Sequence, residues 1–139
     1  MKVFLLFLLF SPSLSDPIDF EVFIRCDRSI PYWCADLTVY EADDYRSAVL
    51  ITQMFCTSDA SKNFVYDPIY PHDGVSLQYE FNYQLRHNCT SNGKRECIQP
   101  EIAIDASVDG RHSVPFYIKA YNTGSSKCRN VGMGPEQDA

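Results

Sequence analysis

Three histidines, His72, His87 and His112, and six cysteines carry most of the chemistry open to this 139-residue chain. A metal centre or a general base would have to draw on them. No H-x-H or H-E-x-x-H spacing sets two imidazoles on one ion. His87 falls on the apolar side of a long alternating segment, where a hydrogen-bonded structural ring is expected. His72 and His112 sit in turn-rich stretches, beside Asp73-Gly74 and just after Asp109-Gly110, and read as surface residues. A nucleophilic serine would need a G-x-S-x-G elbow or an equivalent, and none is present. There is no G-x-G-x-x-G and no phosphate loop. Glu41, Asp43 and Asp44 gather hard carboxylate oxygens of the kind calcium takes. They lack the further ligands and the glycine of a recognised loop, so they read as solvated turn residues. The sequence therefore predicts no enzyme, no cofactor and no metal.

The cysteines Cys26, Cys34, Cys56, Cys89, Cys97 and Cys128 are even in number, and what precedes them gives their context. Lys2 is a positive start, Val3 to Phe10 is an apolar run too short to span about 30 Å of bilayer, and Ser13 and Ser15 are small. Residues 1–15 read as a secretory signal cleaved before Asp16. In an oxidising compartment six thiols imply three disulfides, in one of many connectivities. Cys89 and Cys97 flank the turn dipeptide Asn92-Gly93, so a local bridge at a hairpin end is plausible. The absence of a C-x-x-C pair argues against zinc. Asn88-Cys89-Thr90 fits the glycosylation pattern and marks Asn88 as a possible acceptor.

The elements that position these residues alternate with period two. Phe20, Val22, Ile24 and Cys26 share one face, with Phe23 on the other. After Pro31 the alternation resumes over 34–41, with Leu37 and Val39 opposite Thr38 and Tyr40. Residues 48–56 suit a buried strand or a short helix. Val75, Leu77, Tyr79, Phe81, Tyr83, Leu85 and His87 all fall on one face over 75–87, a run no helix could produce. Two more strands are predicted over 97–105, with Ile98, Ile102 and Ile104, and over 114–121, with Phe116 and Ile118. Pro100 and Pro115 each remove a donor, so those strands are expected to lie at edges or to begin there. The longest irregular stretch is 57–73, and the tail 129–139 is expected to be disordered. The fold class is all-β, an antiparallel β-sandwich of about seven strands over residues 16–128, braced by disulfides.

The formal charge of −6, with no basic cluster, argues against nucleic acid as a partner. No segment after the leader is long and apolar enough to span a membrane. What remains is an extracellular binding module for a protein or cell-surface ligand. Tyr32, Trp33, Tyr66 and Tyr70 form the candidate binding surface, with Phe23 and Tyr40 as further rings that could reach solvent. Two rivals stay open. The aromatic row Tyr79, Phe81, Tyr83 could line a cleft for an apolar ligand, or the segment 27–33 could act as an inhibitory loop against a hydrolase. The sequence does not reveal the oligomeric state.

The run Tyr79-Glu-Phe-Asn-Tyr-Gln-Leu-Arg-His87-Asn-Cys89, followed by Thr-Ser-Asn-Gly-Lys-Arg-Glu-Cys97, resembles the transthyretin-like secreted proteins of nematodes. So do Phe23-Ile-Arg-Cys26 and Leu37-Thr-Val-Tyr-Glu-Ala-Asp-Asp44, as an opening strand with its cysteine and a strand ending in an acidic turn. Cys34 and Cys56 have no counterpart in that pattern, and Arg28-Ser-Ile-Pro-Tyr-Trp33 replaces the family's Gly-rich turn. The resemblance implies a transthyretin-like sandwich without catalytic machinery, and extracellular binding as its role.

Overall fold

In the computed structural model the described residues are 17–42, 47–71, 78–107 and 110–131. They form eight strands: β1 Ile18–Arg25, β2 Trp33–Glu41, β3 Ala48–Thr57, β4 Ser61–Ile69, β5 Gln78–His87, β6 Glu96–Ile98, β7 Ile104–Ser107 and β8 His112–Lys119. One sheet has three strands in the order β4-β1-β8. The other has five, β3-β2-β5-β6, with β7 on the same flank of β5 as β6 but nearer its start. Every pairing is antiparallel except β1 with β8, which run parallel. Residues 1–15, expected from sequence to be a signal, His72 and the carboxylates Asp43 and Asp44 lie outside the described residues.

The alternation explains both layers. Ile18, Phe20, Val22 and Ile24 of β1 are buried, as are Trp33, Ala35, Leu37 and Val39 of β2 and Tyr79, Phe81, Tyr83, Leu85 and His87 of β5. Rings join the sheets. Phe20 meets Phe81 edge to face at 5.0 Å, and Phe116 meets Tyr83 at 5.1 Å. Along the β3–β4 side a chain of rings runs Trp33, Phe55, Phe64, Tyr66, with centroids 5.3, 5.1 and 6.0 Å apart. Such offset and edge contacts add to the burial of large apolar area.

The cysteines form three disulfides: Cys26–Cys89, Cys34–Cys56 and Cys97–Cys128. A local Cys89–Cys97 bridge does not form. Cys89 is fully buried and reaches the end of β1, tying one sheet to the other. Cys34 and Cys56 are directly opposed partners of β2 and β3. Cys97–Cys128 fastens the C-terminal segment to β6. That segment crosses the outer, polar side of β5. Ser125 and Cys97 exchange backbone hydrogen bonds of 2.9 and 2.7 Å, and Arg129 N donates to Gln99 Oε1 at 2.8 Å. Gln84 Nε2 donates to the Arg129 carbonyl. The strap buries Gln84 and Asn82, which the alternation places on an open face. Arg129 is therefore held and does not belong to a disordered tail; residues 132–139 are outside the described set.

Two other expectations change. Residues 57–73 contain the nine-residue strand β4, whose apolar signal is obscured by Lys62 and Asp67 at an edge. The single strand over 97–105 is split in two, because Pro100 cannot donate to a ladder and Ile102 turns outward at 85% exposure. Residues 48–57 are strand and not helix. Pro115 does lie on the edge strand β8, as its missing donor requires.

Candidate binding face

The outer side of the three-stranded sheet is set by parity. Once Ile18, Phe20, Val22 and Ile24 point inward, Asp19, Glu21, Phe23 and Arg25 must point outward. The register of the neighbours completes the face. Glu21 stands opposite Val65 and Pro115, Phe23 opposite Asn63 and Tyr117, and Arg25 opposite Ser61 and Lys119. Phe23 and Tyr117 stack nearly parallel, with centroids 5.0 Å apart and planes 10° from each other. Tyr117 is nevertheless 74% exposed and Val65 75%. A shallow cleft of about 380 Å³ lies between these rings, Arg25, Asn63 and Lys119.

Charge is sorted along this face. Arg25 and Lys119 are side by side at one end, and no carboxylate among the described residues pairs with either. Asp19, Glu21 and Asp67 lie toward the other. Asp19 accepts a two-pronged contact from Arg111, Nε to Oδ2 at 2.8 Å and Nη2 to Oδ1 at 3.0 Å. That carboxylate raises the Arg111 guanidinium's affinity for its proton. Glu21 and Asp67 have no cationic partner among the described residues.

The residues singled out from sequence do not form one surface. Tyr32 and Tyr70 reach solvent, 63% and 57% exposed. Trp33 does not, and leaves the candidate surface. It opens the inward row of β2, its ring is fully buried, and its Nε1 donates to the Asp59 carbonyl at 2.8 Å. Tyr66 points inward from β4. Its hydroxyl is buried without a partner, and burial pushes its pKa up to about 12. Tyr40 is also buried, its hydroxyl accepting from Gln99 Nε2 at 2.8 Å. Phe23 does stand on an outer face. Tyr117 and Val65 were missed: their outward parity follows from Phe116 and Phe64, but the parallel register that stacks Tyr117 on Phe23 leaves no local trace.

The other candidates have structural roles. His87 is fully buried. Its Nε2 lies 2.7 Å from the Thr123 carbonyl and its Nδ1 accepts from Cys89 N at 3.1 Å, which defines a neutral tautomer. Burial lowers its pKa, opposed by the Thr123 hydrogen bond and by Glu96. Asn88 Oδ1 accepts from Cys34 N at 2.7 Å and so braces β2. Of the rings that an apolar ligand would need, Tyr79 packs against Phe81, Phe81 against Phe20, and Tyr83 against Phe116. In the segment 27–33, Asp27 Oδ1 accepts from Ser29 N and Oγ, which holds the turn before Ile30 packs on the core. No group of three potential metal ligands occurs among the described residues. No helix among them is long and apolar enough to cross a membrane.

One family model matches, over residues 21–131, and is described as Caenorhabditis elegans protein of unknown function (DUF870). The chain belongs to this family. The match runs from β1 to the strap beyond Cys128, so the family covers all three disulfides and both sheets. It does not establish a transthyretin-like relationship. No curated protein and no solved structure matches the chain. Three disulfides in a domain this small are typical of extracellular proteins.

Proposed function

We propose that this DUF870 protein is a secreted, non-enzymatic binding module. It engages a protein or cell-surface component through the outer face of its three-stranded sheet. The observation that carries this reading is the Phe23–Tyr117 stack, ordered yet left largely in water beside the exposed Val65. Rings held rigid lose little entropy on contact, and aromatic residues enrich interfaces. The apolar leader and the three disulfides support secretion. The two strand layers and the His87-x-Cys89 element support a distant kinship with the transthyretin-like secreted proteins.

The test uses labelled, disulfide-intact protein on dissociated nematode cells, read by flow cytometry. Tyr117→Ser with Val65→Ser should reduce saturable binding at least about tenfold, the loss of roughly 1.4 kcal/mol of contact. Tyr32→Ser, exposed elsewhere, should leave it unchanged. Equal binding by the double variant and the wild type would remove this face from the function.

A further inference from the structure

Resting on that reading, we infer that the occupant of the face is a second copy of the chain, packed sheet against sheet about a two-fold axis running across the strands. The face is ordered along β1 as acid, aromatic, base: Glu21 flanked by Val65 and Pro115, then Phe23 flanked by Asn63 and Tyr117, then Arg25 flanked by Ser61 and Lys119. Glu21 at one end and Arg25 and Lys119 at the other form no ion pair among the described residues. Arg25 directly beside Lys119 is a like-charge rung, which costs stability unless an anion meets it.

A two-fold axis between facing sheets has two simple orientations. Along the strands it sets Arg25 against Arg25 and Glu21 against Glu21. Across the strands it reverses the strand direction. Arg25 of one copy then lies over Glu21 of the other, and the Phe23–Tyr117 rungs meet between them. Only the second is complementary, and it is isologous, so it closes at two copies. Aligned packing of this kind is ordinary for sheets. Successive outward rungs are about 6.6 Å apart, so opposite charges lie within side-chain reach across the contact. The face is three strands wide and eight residues long, roughly 14 by 26 Å. That is smaller than the ~800 Å² per partner of a standard interface, so the dimer is weak, with a dissociation constant of roughly 0.1 mM.

Sedimentation equilibrium of the purified, disulfide-intact protein tests this from about 10 µM to 1 mM. The wild type should dimerise with concentration, and 0.5 M salt, which shortens the screening length to about 4 Å, should weaken it about tenfold. Arg25→Glu sets carboxylate against carboxylate across the axis, and Glu21→Arg sets guanidinium against guanidinium. Each should be monomeric alone. An equimolar mixture should recover dimerisation, a rescue that misfolded variants could not give. A wild type still monomeric at the highest concentration, or a mixture that stays monomeric, would overturn the second copy. If the Tyr117→Ser, Val65→Ser protein still loses cell binding in that case, the binding face stands and only its occupant changes.

Discussion

The Cys26–Cys89 bridge should be the most stabilising of the three, and the order follows from the sequence separations it closes. Those separations are 63 residues for Cys26–Cys89, 31 for Cys97–Cys128 and 22 for Cys34–Cys56. Loop-closure entropy in the unfolded chain then gives about 4.3, 3.7 and 3.4 kcal/mol respectively. Position widens the gap. Cys26–Cys89 joins the two sheets and Cys89 is fully buried, so Ala at both sites also removes packed sulfur from the core. Cys34–Cys56 joins strands already paired over their whole length. The Cys26→Ala, Cys89→Ala protein should therefore lose at least about 4 kcal/mol, a large part of a typical 5–15 kcal/mol. Cys34→Ala, Cys56→Ala should lose about 3 kcal/mol. Urea unfolding followed by fluorescence reports this cleanly, because Trp33 is the sole tryptophan and lies wholly in the core. If the inter-sheet variant were the more stable of the two, chain entropy and its placement would not be what the bridge contributes.

Leu85→Asp should abolish secretion, since it buries an unpaired carboxylate in the middle of β5; normal yield in the culture medium would contradict the inward assignment of that row. Gly124→Ala should destabilise by about 1–3 kcal/mol and free the strap. Gly124 has φ of 129°, and an added Cβ would sit 2.7 Å from the Cys97 carbonyl; an unchanged urea midpoint would refute the close approach. His87 binds its proton less readily folded than unfolded, so its contribution to stability is complete above the unfolded value of 6.5 and falls as pH drops through it toward the lower folded value. A His87→Gln protein should lose that part of the acid dependence in urea titrations from pH 7 to 5; the same slope in both proteins would place the proton elsewhere.

Strand positions with strict alternation were legible because burial on one face is all they require. The row Tyr79 to His87 and the row Ile18 to Ile24 lie inward as their parity demands. What was not legible depended on partners remote in sequence. Asn82 and Gln84 read as solvent residues and are buried, because a strap beginning some forty residues later crosses them. Trp33 read as a surface ring because Arg28-Ser-Ile-Pro-Tyr precedes it, yet one residue of phase separates it from the exposed Tyr32. The pairing of Cys89 followed the meeting of two sheet ends and not the nearest turn. The candidate face was half visible, in the outward parity of Phe23. Its other ring, Tyr117, is supplied by a parallel neighbour that no local pattern announces.

That parallel pair also sets a schedule for synthesis. β1 is the first strand described and the central one of its sheet, but its neighbours are β4 and β8. At about 5–20 residues per second, the roughly 90 residues between β1 and β8 take some 5–20 s to be made. Throughout that interval Ile18, Phe20, Val22 and Ile24 lack their full cover, and Cys26 waits for Cys89 while Cys34 and Cys56 are already at hand. Among the described strands, the last made completes the layer that the first made began.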